Sequence, residues 1–217
     1  MTSLSVTASE ASAQAFYLRV LVLTGATEMG GASVLAYNPP NNPITPNGSR
    51  SLVVWALENF GSPTALAPVS DNTALDEATG TEDDSYTHGY YSGTVTEGTP
   101  VTVGCTSAEA AQLAAYEILA SGASTPAMDA SAPALATASG SSVTSASFAP
   151  PAGSVVAALI ASYDNGGSIS PDVSDSSGMT WTQRAYLNNF SQGFAAVYTA
   201  TVPSRAASSS LMIAGIT

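Results

Sequence analysis

The sequence predicts an all-β protein built from two tandem, related β-sandwich units (jelly-roll or Ig-like), the second closed by strands from the N-terminus. Three observations carry this reading. Short β-branched and aromatic runs alternate with Gly, Pro, Ser, Asn and Asp clusters along the chain, the rhythm of a sandwich rather than of a βαβ fold. A weak internal repeat recurs at about the length of one sandwich domain. A third repeated block is displaced to the other end of the chain.

Taken in order, the expected strands are residues 4–8, 16–24, 51–57, 86–95, 101–105 and 114–119. A Gly/Ser/Ala/Pro stretch at 121–134 separates them from 142–148, 154–163, 179–184, 194–202 and 208–216. The Ala, Glu and Gln content of 108–119 favours a helix on propensity alone. The repeat argues for a strand there instead. Ser51-Leu-Val-Val-Trp-Ala-Leu57 resembles Ser154-Val-Val-Ala-Ala-Leu159, Val69-Ser-Asp71 matches Val173-Ser-Asp175, and Tyr91-Ser-Gly-Thr-Val95 matches Tyr198-Thr-Ala-Thr-Val202. These pairs are offset by 103, 104 and 107 residues. The block at 107–123, with its Gln, Tyr, aliphatic run and closing Gly-Ala, finds its counterpart at 9–26 and none after Thr217. Since 16–23 reads as a strand, 114–119 is expected to be one too. The units are therefore 27–122, and 123–217 plus 1–26. An open second unit would expose unpaired sheet edges. Either its own N-terminus closes it or a neighbouring subunit's does, and the lower entropic cost of local closure favours the former.

Charge excludes some partners. Sixteen acidic residues face four arginines and no lysine, giving a net charge of -12. That field opposes a phosphate backbone, whose affinity comes from cations, and repels an anionic membrane surface. The apolar runs at 16–23 and 155–161 are shorter than the roughly 20 residues a membrane helix needs. The N-terminal residues lack the basic and apolar regions of a secretory signal. Cytoplasmic synthesis is the expectation. One cysteine, Cys105, allows no internal disulfide and reads as a small core residue.

Several segments together resemble repeats in minor tail and other virion surface proteins of actinobacteriophages, and in related bacterial surface proteins. They are Tyr17-Leu-Arg-Val-Leu-Val-Leu-Thr-Gly-Ala26, Thr99-Pro-Val-Thr-Val-Gly104 with Ala115-Tyr-Glu-Ile-Leu119, and Ala149-Pro-Pro-Ala-Gly-Ser154 with Val173-Ser-Asp-Ser-Ser-Gly-Met-Thr-Trp-Thr182. The resemblance implies a structural role on the virion surface, as a minor tail protein or capsid decoration. It also implies other virion proteins as partners, a homo-oligomer, and no catalytic residues. The alternative is a carbohydrate- or receptor-binding module facing a host-surface glycan. A Ca²⁺-dependent adhesin ranks third.

Candidate site residues are few. Tyr86, Tyr90 and Tyr91 sit in one run, with Tyr86 and Tyr90 on one face and Tyr91 on the other. They could stack on a sugar if exposed, or pack across the sheet. The acidic stretch 71–84 reads as a solvated loop. Its carboxylates could hold Ca²⁺ through oxygen ligands, with Asp76, Glu82 and Asp84 the best placed, and no other cofactor is expected. His88 is the single histidine, and no Gly-x-Ser-x-Gly elbow accompanies it, so it reads as a strand or turn residue. Trp55 and Trp181 read as core or partner-facing anchors, and Asp164-Asn-Gly-Gly167 as a hairpin turn.

Overall fold

The structure is a computed structural model describing residues 3–11, 13–27, 29–60, 66–79, 84–106, 111–164, 170–189 and 193–204. Every regular element in it is a strand. In chain order these are β1 Val6–Ser9, β2 Ala13–Thr24, β3 Ala26–Thr27, β4 Ser33–Tyr37, β5 Asn41–Ile44, β6 Leu52–Asn59, β7 Asn72–Thr79 and β8 Ser85–Tyr91. There follow β9 Val101–Gly104, β10 Ala111–Ala120, β11 Ala127–Met128, β12 Ala136–Ser139, β13 Ser142–Thr144, β14 Val155–Asp164, β15 Asp172–Asp175, β16 Thr182–Asn189 and β17 Gly193–Thr201. The segment with helical composition is β10, paired along its length with β6. Packing on both faces decides its conformation over propensity.

Two large sheets dominate. Sheet one runs β3–β10–β6–β8–β7, with β4 also on β10; sheet two runs β11–β2–β14–β17–β16, with β12 also on β2. Two small sheets accompany them, β5–β9 and β13–β1–β15. Strands from residues 26–120 thus fill sheet one and its small partner. Strands from residues 6–24 and 127–201 fill sheet two and the other. The central pairing of sheet two is between β2 and β14, in register from Val155↔Leu23 to Tyr163↔Ala15.

Three cores stack between four layers. One lies between sheet two and β13–β1–β15, built from Phe16, Leu18, Val20, Ile160 and Phe194 with Val6 and Val143. A second lies between sheet one and β5–β9, around Trp55, Leu57, Leu113 and Val103. The third joins the two large sheets face to face, with Leu21, Leu23, Leu52, Val54, Ile118 and Leu159 among its members. Both faces of the central strands are therefore covered. β6 is buried throughout and β17 at all but its last residue, which is why these strands read as continuous apolar runs without alternation. Small side chains at Ala56, Ala114, Ala157, Ala185 and Ala195 line the middle layer, so one use of the chain's abundant alanine is close approach of two sheets.

Two carboxylates fasten loops to this frame. Glu117 on β10 is fully buried, and its Oε2 accepts the Ala32 and Asn47 amides at 2.9 and 2.8 Å. Its Oε1 accepts the Gly48 amide at 3.1 Å and the Ser51 hydroxyl at 2.5 Å. At the end of β15, Asp175 accepts the Ser177 amide and hydroxyl, the Met179 amide and the Trp181 indole N–H. Burial pushes the Asp175 carboxyl up, but these donors outweigh it and hold it below the usual carboxylate range. This clamp holds 179–181 outside the strand, after a turn at 176–177, so the strand expected at 179–184 begins only at Thr182.

The acidic stretch 71–84 is a correction. Most of its described part is strand and not loop: Asn72–Thr79 form β7, paired with β8 and bulged between Ala74 and Asp76, while 80–83 lie outside the described residues. The matching pair β16–β17 has its own bulge between Gln183 and Ala185. The strand expected over 86–95 ends at Tyr91, and the stretch 121–134 contains β11. The expected strand at 208–216 and the Asn-Gly turn at 165–167 lie outside the described residues.

Candidate functional site

The three tyrosines of β8 part company in the fold. Tyr86 is 1% exposed and stacks on Tyr17 of the facing sheet, ring centroids 3.7 Å apart. It is therefore unavailable to a sugar, which corrects the exposed placement that binding required. Tyr90 and Tyr91 are half-buried and both line a groove of about 350 Å³. Its other walls are Ser51, Leu52, Ser92 and Gly93, and, from the segment entering β11, Thr125, Pro126 and Met128. Met128 is one of the exposed large apolar side chains. A larger cleft of about 400 Å³ at Ser9, Glu10, Ser141, Ser170 and Asp172 has no aromatic wall.

His88 is 1% exposed and faces the junction of the large sheets. Its Nδ1 lies 2.6 Å from Asp76 Oδ1, and Arg19 Nε from β2 lies 3.6 Å from Asp76 Oδ2. A histidine oriented by an aspartate supplies two of the three members of a hydrolytic triad. Among the described residues no nucleophile completes it, since His88 Nε2 is buried with no hydrogen-bond partner there. Cys105 is fully buried, and burial, aided by Glu77, pushes its thiol up to about 12. A thiol so placed is a poor nucleophile at neutral pH.

Two of the three candidate metal ligands lie in the described residues. Asp76 faces His88 and Arg19, Asp84 is 1% exposed, and Glu82 lies outside the described residues. Among the described residues no group of three His, Cys, Asp or Glu side chains is placed to hold a metal ion.

Sequence reasoning passed over Glu58, Gln112 and Glu117, all fully buried. Glu58 and Glu117 are charged residues inside apolar strands, Leu52–Asn59 and Ala111–Ala120. That is the signal that marked them, since a charge is rarely buried without a partner. Gln112 Nε2 donates to Glu58 Oε2 at 3.1 Å. Burial, reinforced by Asp84 and only partly offset by Gln112, raises the Glu58 carboxyl well above the carboxylate range.

No family model, curated protein or solved structure matches this chain. The fold itself places it among all-β sandwich proteins.

Proposed function

We propose that the chain is a non-enzymatic structural protein of a phage particle, displayed on the capsid or tail and assembled through its sheet edges. In this reading it is a permuted tandem: units 27–122 and 123–217 plus 1–26 are copies of one sandwich, the second closed by the chain's own N-terminal strands. The observation that carries it is the shared strand order. β3, β4, β5, β6, β7, β8, β9 and β10 take the same places as β11, β12, β13, β14, β16, β17, β1 and β2, down to a bulge in each edge pair. Such repetition suits a scaffold, and stacked sandwich layers are a rigid unit to build with. β7 and β16 each end a large sheet, and such edge strands are where neighbouring subunits or other virion proteins would add. Sedimentation at two concentrations tests the assembly. A discrete homo-oligomer is expected, and a monomer at both concentrations would count against assembly through the edges.

The groove at Tyr90 and Tyr91 favours a second reading, a module that binds a receptor or carbohydrate. Two half-buried aromatic rings beside hydroxyl groups suit a neutral sugar, and the net charge of -12 disfavours an anionic one. Here Tyr90→Ala and Tyr91→Ala should each weaken glycan binding about tenfold, the equivalent of about 1.4 kcal/mol. Titration calorimetry with neutral oligosaccharides checks this, and unchanged affinity in both variants would remove the groove from the binding surface.

A further inference from the structure

The core between the large sheets changes character along its length. At one end it is aliphatic, with Leu21, Leu23, Leu52, Val54 and Ile118. At the other, Gln112, Glu58 and Tyr86 sit on one rung of sheet one, as the pairings Gln112↔Glu58 and Glu58↔Tyr86 show. All three are at most 1% exposed. Glu58 Oε2 takes the Gln112 amide, but among the described residues Glu58 Oε1, Gln112 Oε1 and Tyr86 OH have no hydrogen-bond partner.

The opposing sheet presses directly on this rung. Tyr17 stacks on Tyr86. Gly193, at φ +124, brings β17 so near that a Cβ there would lie 3.2 Å from the Glu58 carboxyl carbon and would also collide with the Ser162 carbonyl. The titratable and charged groups around Glu58 are Asp84, Tyr86, His88 and Asp76 from sheet one, and Tyr17, Tyr163 and Arg19 from sheet two. Arg19 pairs with Asp76, and among the described residues no ion pair reaches Glu58. An ionised carboxylate buried without a cation is strongly unfavourable.

We propose that Glu58 is a proton latch at the sheet–sheet junction: it carries a proton on Oε1 while the sheets are closed, and losing that proton loosens β17 from β6. The neutral acid turns the unpartnered oxygen into a donor, and its two ladder neighbours, Gln112 through Oε1 and Tyr86 through its hydroxyl oxygen, carry unsatisfied acceptors. A carboxyl whose folded-state affinity for protons is raised gives its full stabilisation at low pH. That stabilisation is lost as pH rises through the folded value. The latch is thus closed in acid and released toward alkali.

The test is the full chain and its Glu58→Gln variant, unfolded between neutral and alkaline pH. The wild type should lose up to tenfold in its folding equilibrium constant per pH unit over the range in which Glu58 ionises. Glu58→Gln should remove that loss, and should keep β17 amides protected from hydrogen exchange at the alkaline end. Equal pH dependence in the two proteins overturns the proposal. Should the variant fold poorly, isotope-edited infrared spectra of the wild type decide: a protonated carboxyl band at neutral pH is expected, and its absence refutes the latch. A wild-type midpoint raised by Ca²⁺ and lowered by chelator would assign these oxygens to a cation and also overturn it.

Discussion

Glu117→Ala is expected to lower the unfolding midpoint by roughly 10 °C. One buried carboxylate holds Ala32, Asn47, Gly48 and Ser51 together, joining the connection that enters β4 to the one that enters β6. Hydrogen bonds to a charged group are about twice as strong as neutral ones. Each buried donor left without an acceptor costs about 1–3 kcal/mol. Asn47 is exposed and Gly48 half-buried, so water can replace part of what is lost. A net loss of about 3 kcal/mol follows, which at this chain length corresponds to about 6–12 °C. Glu117→Gln keeps one acceptor oxygen and should lose about half as much. Scanning calorimetry of the two variants checks both values; a shift below about 2 °C for the alanine variant would show that the loops hold without the clamp.

Deleting residues 1–26 is expected to have a still larger effect: loss of the cooperative transition in the whole chain. Sequence alone suggests that the 27–122 unit survives such a cut. The structure gives a different expectation. β2 is an inner strand of sheet two, between β14 and the short strands β11 and β12, so its removal opens that sheet at its centre. The same strand supplies Leu21 and Leu23 to the core shared with Leu52, Val54 and Ile118 of sheet one. Losing sheet two therefore uncovers an apolar face of sheet one, a patch that soluble monomers rarely expose. Circular dichroism melting and sizing of the truncated chain check this, as does its rescue by a synthetic 1–26 peptide added in trans. A monomer that still melts cooperatively would show that sheet one stands alone.

The legible parts of this fold were those written in local pattern. The long strands β2, β6, β10, β14 and β17 appear as apolar runs because both their faces are buried. The short strands β4, β5, β11, β12 and β15 left no such mark. Each has few residues, and Pro43 and the exposed Leu35 and Tyr37 break the alternation that identifies a half-buried strand. The acidic stretch misled because composition favours a loop, whereas pairing with β8 and the contact of Asp76 with His88 make it β7. Among the candidate site residues, the alternation of the tyrosines could be read from spacing. Their exposure could not, since it depends on what lies opposite each ring: sheet two for Tyr86 and Tyr90, the core beneath β5–β9 for Tyr91.

The sequence by itself determined the all-β class, the positions of the long strands, the burial of Cys105 and the likeness of 9–26 to 107–123. These follow from side-chain periodicity and composition, which act locally. Only the tertiary structure decided that the two large sheets pack face to face and that Tyr86 closes against Tyr17. It alone decided that Glu58 is sealed beneath the backbone of β17. Those outcomes depend on residues far apart in the chain meeting across a sheet junction, and no local pattern records which atoms the junction leaves without a partner.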